Sequence, residues 1–233
     1  GGNLMIAGEP RRQEVMNPLV EQFGVRFMPG RLVRPTENFQ ADFIIATPTR
    51  EAGEFSYHFD NMIKREYVVT MPGCTALEYT RDKGFNVTPL FTSDTVNCWN
   101  EVETTDFVDD TVRLNPEAGE IEKIYTTALA LTRKVGEKEQ KIIILGDADC
   151  LSNGEISISR KGVRASNYSL ITGSFFWMSD EEVPIDVRRP NPPDNAVRVG
   201  ETGMYISKLG LMGLFPILLA IAAIIIWIRR RGR

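Results

Sequence analysis

Histidine is nearly absent from this chain of 233 residues: His58, in FSYHFD, is the only one. A zinc centre or a histidine-activated nucleophile needs more partners than that. Cysteine is scarce as well. Cys74, Cys98 and Cys150 are odd in number and lack paired spacing, which excludes a disulfide framework and a zinc-finger pattern. One bridge among them would leave a thiol over, and the sequence does not choose the pair. Neither G-x-G-x-x-G nor a Walker motif occurs, so the chain is not expected to be an ATPase. Basic residues are in deficit over most of the length. Four of the 27 lie at the extreme carboxyl terminus, leaving 23 against 31 acidic residues. That balance argues against nucleic acid or anionic lipid as the main partner of residues 1–208. No signal-peptide pattern opens the chain, which starts Gly1-Gly2-Asn3 rather than with Met. The expectation is the carboxy-terminal portion of a longer or processed polypeptide, with upstream sequence delivering residues 1–208 across a membrane.

What the chain does have is one long uncharged run, Leu209 to Ile228, reading LGLMGLFPILLAIAAIIIWI. Twenty helical residues at about 1.5 Å each cover roughly 30 Å, the thickness of a hydrocarbon core. Pro216 would suggest a break in a soluble helix, but a membrane helix tolerates it. Trp227 ends the run, where an amphipathic ring prefers the interface. Arg229, Arg230, Arg231 and Arg233 follow, whereas Lys208 alone precedes the run closely. The positive-inside rule then places the tail in the cytoplasm and residues 1–208 outside it.

The remaining sequence predicts an α/β domain over residues 1–182. Leu4 to Ala7 reads as a buried strand, and Arg12 to Phe23 as a helix with Val15, Leu19, Val20 and Phe23 on its apolar side. Gly24 is placed to stop that helix, and Val25 to Phe27 can follow as a strand. Strand, helix, strand with short links is the grammar of a mostly parallel sheet flanked by helices. Asp42 to Ala46, Tyr67 to Met71 and Phe85 to Phe91 are further strand-like runs, and Pro89 suggests an edge position for the last. Residues 93–120 read as a long polar surface segment. Tyr125 to Arg133 alternates as a strand, with a helix as the alternative, and Val135 to Lys141 reads as a polar turn. Lys141 to Leu145, KIIIL, predicts a centre strand covered on both faces. Residues 154–166 read as an exposed loop. Asn167 is placed to cap a helix over Tyr168 to Met178, with Leu170, Ile171, Ser174, Phe175 and Trp177 on its apolar side. Four prolines in residues 183–195 predict an extended strap, within a stretch of 183–208 leading to the anchor at 209–228 and the basic tail at 229–233.

Taken together, GGNLMIAGEPRRQEVMNPLV, TMPGCTAL, ALALTR with KIIILGDADCLSN, NYSLITGSFFWMS and the closing apolar helix with its arginines resemble a known family. It is the auxiliary, or substrate-binding-like, component of ABC transport systems found with gliding-motility proteins in Bacteroidetes. The resemblance covers nearly the whole chain. It implies an ectodomain related to class I glutamine-amidotransferase-like α/β folds, facing the periplasm and anchored in the inner membrane. It also implies an ABC ATPase and a permease as partners, besides the lipid bilayer, and no cofactor. It does not name a cargo.

Several residues carry candidate chemistry. Gly146-Asp147-Ala148-Asp149 follows KIIIL at a strand's carboxyl end, where ligands of open α/β sheets gather. Two carboxylates at i and i+2 can hold Mg²⁺ or Ca²⁺ with water, but they also suit a turn in which they accept hydrogen bonds from amides. The structural role is preferred and no metal is assigned. Cys74, in MPGCT after a strand, occupies the place of a nucleophile elbow in amidotransferase-like folds. His58 is its one available base, and no His-x-Glu lies towards the carboxyl end, so a degenerate, non-catalytic site is expected. His58 itself reads as a surface or interface residue. Gly8-Glu9-Pro10-Arg11-Arg12 sits at a strand-to-helix junction, where a helix start can hold an anion, although salt-linked surface arginines are the plainer reading. Asp147, Asp149, Arg11 and Arg12 are therefore the candidate ligand or partner contacts, with no catalytic residue assigned. The function expected is a non-enzymatic, membrane-anchored component of an ABC-type export system. The alternatives are a membrane-tethered hydrolase or amidotransferase using Cys74, and a purely structural docking subunit of a surface machine. A closed pocket with converging polar groups would separate ligand binding from docking.

Overall fold

The computed structural model describes residues 2–94, 96–108, 112–183 and 200–232. The chain divides into two units, Gly1–Asp186 and Val187–Arg233. In the first, Leu4–Ala7 (β1) leads through Gly8-Glu9-Pro10 into Gln13–Val20 (α1), which a 3-10 turn at Glu21–Phe23 extends. Gly24, at φ 76°, takes the left-handed conformation that ends it. Strands Val25–Phe27 (β2), Arg31–Val33 (β3) and Phe43–Pro48 (β4) follow. Tyr57–Lys64 (α2) is capped by Ser56, whose hydroxyl accepts from the Phe59 N–H. Val69–Pro72 (β5), Leu77–Tyr79 (β6), Asn86–Thr92 (β7) and Trp99–Glu101 (β8) come next. Thr126–Val135 (β9) and Lys138–Leu145 (β10) are the longest strands. Helices Asn153–Ser157 (α3) and Asn167–Met178 (α4) complete the described part of this unit.

The main sheet has the order β1-β10-β9-β7-β4-β5, and β2–β6 and β3–β8 form separate two-stranded ribbons. Among the paired strands of this sheet in the described residues, only β1 and β10 run parallel. The pairs β10–β9, β9–β7, β7–β4 and β4–β5 are antiparallel. The expected mostly parallel sheet is thus corrected to a mixed one. The physical reason is in the connections. β9 and β10 are joined by two residues, Gly136 and Glu137, with Gly136 at φ 66°, and so short a link can only make a hairpin. After α1 the chain does not return beside β1; β2 pairs with β6 instead. Apolar runs report burial on both faces, and burial does not encode strand direction.

KIIIL alternates between two cores. Ile143 and Leu145 face Ile44, Met71, Phe91 and Ala130, covered by Phe59 and Met62 of α2 and Leu170 and Trp177 of α4. Ile142 and Ile144 face Leu129, Leu131 and Val87, covered by Val20, Phe23, Val25, Phe27 and Leu77. Each such fully buried Ile or Leu contributes about 1.5–3 kcal/mol relative to exposure. α4 lies close on α2: a Cβ at Gly173 would stand 2.6 Å from Phe59 Cε1.

Other expectations are corrected locally. Pro89 is not on an edge strand, because β7 lies between β9 and β4. It sits where the β7–β9 register shifts, a bulge that removes the need for its missing N–H. Residues 93–120 are not all surface, since β8 pairs with β3 and buries Trp99, Asn100 and Glu101. The polar turn shrinks to Gly136-Glu137, with Lys138 already in β10. The segment 154–166 contains most of α3, and its Glu155 is buried. Val15 and Leu19 are exposed, leaving Val20 and Phe23 as the buried residues of the first helix and its extension. On α4, Phe176 rather than Phe175 turns inward beside Trp177.

In the second unit, Glu201–Leu209 (α5) continues through a π-turn at Gly210–Leu214 into Phe215–Arg231 (α6). Helix therefore begins within the expected strap, of which residues 184–199 lie outside the described residues. The π-turn has a local cause. Pro216 cannot donate to the carbonyl four residues back, and the widened turn, with the Phe215 N–H bonded to Gly210 O, accommodates its ring. The span Thr202–Arg231 is long and apolar enough to cross a membrane: 30 residues, with a mean hydropathy of 2.7 in its most apolar window. Its length of about 45 Å exceeds a hydrocarbon core of roughly 30 Å, so polar turns extend beyond the apolar run. The Arg231 guanidinium lies 4.9 Å from the centre of the Trp227 ring.

Candidate functional site

The parallel pair of the main sheet decides what meets at its edge. Because β1 and β10 run the same way, their carboxyl ends emerge side by side, and the Gly8 N–H extends the ladder to Leu145 O at 2.8 Å. β1 delivers Gly8-Glu9-Pro10 there, and β10 delivers Gly146-Asp147-Ala148-Asp149. Gly146 is clamped between neighbours: its N–H donates to Thr127 O and its carbonyl accepts from the Thr75 N–H, both at 2.8 Å. A Cβ at this position would stand 2.0 Å from Thr75 O, so only glycine fits. The tight passage turns Asp147 inward.

Asp147 is fully buried. Its Oδ1 accepts the Asp149 N–H at 2.8 Å, and its Oδ2 has no hydrogen-bond partner among the described residues. Burial raises its pKa to about 8. The Asp149 N–H opposes that rise, and the nearby charges of Glu9, Asp149 and Glu155 add to it. Glu9 is partly buried and accepts the Ala148 N–H at 3.3 Å. Its carboxyl is also raised, first by burial and then by Asp149. Asp149 is exposed. One carboxylate oxygen from each of Glu9, Asp147 and Asp149 lies within 4.8 Å of the other two.

The structure thus joins Asp147 and Asp149 to Glu9, which the sequence places in the junction before Arg11 and Arg12 but not among the candidate contacts. An acidic residue directly after a strand was a visible signal. What it lacked was the knowledge that β1 and β10 are parallel neighbours. Arg11 and Arg12 follow a different course and make no hydrogen bond or ion pair to these carboxylates. Arg11, at φ 64°, donates from Nη2 to Thr105 O at 2.7 Å and lines a cleft of about 180 Å³ with Arg31, Thr104 and Phe107. Arg12 is exposed, and its carbonyl opens α1 by accepting the Met16 N–H at 3.0 Å.

Cys74 follows β5 and Gly73, as an elbow would, but it is fully buried and its thiol lies against Thr75 O at 3.3 Å. Burial, reinforced by Asp147, holds its pKa well above the ordinary thiol value. Cys98 and Cys150 are likewise buried and unbridged. His58 is half-buried on α2, 4.0 Å from the Tyr57 ring centre and 5.7 Å from that of Phe176, with Nδ1 3.4 Å from Thr172 Oγ1. It packs among aromatic rings at the edge of the surface.

Behind the acidic turn lies a buried polar network. Asn167 does not cap α4 from outside, because Ser166 precedes it as the cap residue. Its amide instead donates to Thr70 O at 2.8 Å and Cys150 O at 2.9 Å, and its Oδ1 accepts the Thr70 N–H at 3.0 Å. Thr70 also donates to Glu155, which Arg160 holds in a bidentate pair at 2.5 and 2.8 Å. This ties β5, α3 and α4 to the segment carrying Asp147. A larger cavity, about 600 Å³, runs along β2 and β6 beside Arg26, Glu78 and Lys83, and none of the candidate contacts Asp147, Asp149, Arg11 and Arg12 lines it. Compared with protein-family models, curated proteins and solved structures, the chain matches none.

Proposed function

We propose that this chain is a non-enzymatic, membrane-anchored auxiliary component of an ABC-type transport system, acting beside an ATPase and a permease. The observation that carries the anchored reading is the span Thr202–Arg231, no part of whose most apolar window is buried within the protein. Water is a poor solvent for that surface, and a lipid core suits a helix that satisfies its own backbone hydrogen bonds. The arginines after Ile228 support a cytoplasmic tail, with the α/β unit on the periplasmic side of the inner membrane. The transport class rests on the sequence resemblance, and so does a relation of the α/β unit to amidotransferase-like folds. The buried Cys74 thiol supports a domain that presents or binds rather than one that reacts.

The test is recovery of the full chain from native membranes in mild detergent. An ABC ATPase is expected to copurify, and repeated recovery of the chain alone would sink the proposal. An enzyme using Cys74 is the second reading, favoured by the position of that residue after a strand. Loss of cellular function in Cys74→Ala would support it; full function in Cys74→Ala would remove it.

A further inference from the structure

We infer that Glu9, Asp147 and Asp149 form a Ca²⁺ site at the adjoining carboxyl ends of β1 and β10. The inference does not rest on the transport reading. Its first basis is the geometry of three oxygens, one from each carboxylate, within 4.8 Å of one another. Ca²⁺ binds oxygen at about 2.3–2.6 Å, so ligands on opposite sides of one ion stand roughly 4.6–5.2 Å apart. Three oxygens this close can converge on a single ion with small side-chain adjustments. Mg²⁺ demands near-ideal octahedral ligands and sheds its waters reluctantly, which suits a buried carboxylate less well than the flexible shell of Ca²⁺.

The second basis is independent of the clustering. Asp147 is completely buried, its Oδ1 is taken by the Asp149 N–H, and its Oδ2 has no donor among the described residues. A buried carboxylate oxygen left unpaired is costly, and here its neighbours are two further carboxylates. A divalent cation supplies the missing partner for Oδ2 and the missing charge for all three. Arg31 favours the charged form of Glu9 only as one of the weaker influences on it, after burial and Asp149. Its guanidinium is paired with Asp42 and lies over the Phe107 ring at 5.2 Å. Asp149 is exposed, which gives the ion a way in and lets water complete the six to eight ligands that Ca²⁺ takes. Gly146 and the Asn167 network hold the turn in place without the ion.

The experiment is calorimetric titration of the full chain in detergent micelles, stripped with a chelator and then given CaCl₂ alone. One Ca²⁺ per chain is expected, together with a rise in the thermal midpoint. Glu9→Gln, Asp147→Asn and Asp149→Asn should each weaken binding by about tenfold or more, because ligand charge sets affinity at such sites. Asp149 is exposed, so its variant keeps the fold and remains decisive if either of the others fails to fold. No heat and no midpoint shift at millimolar Ca²⁺ would overturn the inference and leave Asp147 to meet its burial by holding a proton. Equal binding by the wild type and the Asp149→Asn chain would overturn it too.

Discussion

At the scale of single residues, burial decides chemistry here more than residue type does. Cys74 has the sequence position of a nucleophile, yet a thiol sealed from water keeps its proton, and the thiolate is the reactive form. Iodoacetamide at pH 8 should therefore leave all three cysteines unmodified in the native chain. Labelling should rise in urea in step with the loss of circular dichroism, because unfolding returns each thiol to its ordinary, lower pKa. Rapid labelling of Cys74 without denaturant would contradict this. Asn167 shows the opposite use of a polar residue. Its four hydrogen bonds engage Thr70 and the Cys150 carbonyl, and truncation leaves buried amide groups unpaired. Asn167→Ala should cost about 3 kcal/mol in urea denaturation, since each orphaned group costs about 1–3 kcal/mol. A loss below about 1 kcal/mol would mean that water reaches the site.

At the scale of elements, close packing and connection length set the architecture. α2 and α4 meet where Gly173 faces the Phe59 ring, and Phe59 is fully buried. Gly173→Ala would gain up to about 1 kcal/mol of helix propensity, but the added Cβ overpacks the contact at a cost of about 1–3 kcal/mol. A net loss of about 1 kcal/mol is expected, partly recovered in the Gly173→Ala/Phe59→Leu double variant. Equal stability of Gly173→Ala and the wild type would show that the helices can separate freely. Most strands were legible as apolar runs: Leu4–Ala7, Val25–Phe27 and the KIIIL part of β10 fall where the sequence places them. Their partners were not legible. A run such as KIIIL states that both faces are covered, and the direction of its neighbour depends on a two-residue turn and on which strand arrives from far along the chain.

For the molecule as a whole, the charge at the end of the long helix governs the proposed orientation. A cysteine placed at the exposed Glu139 should react with a membrane-impermeant maleimide added to the periplasmic side, while the buried native thiols stay silent. Replacing Arg229, Arg230 and Arg231 with glutamate should lower that labelling, because the retention signal is removed. Labelling of Glu139→Cys only after the membranes are opened would reverse the orientation.

The apolar span, the turn-ending Gly24 and the doubly covered KIIIL strand were set by local composition, because helix length, hydropathy and periodicity are properties of neighbouring residues. The acidic site was not. Asp147 and Asp149 stand two apart and were visible, but Glu9 joins them across 138 residues only because β1 docks parallel to β10. The inward turn of Asp147 depends on Gly146 fitting against Thr75, a contact that no local pattern contains. Tertiary structure alone converts a plain turn into three carboxylates around one point, since like charges meet there only when the surrounding packing holds them together.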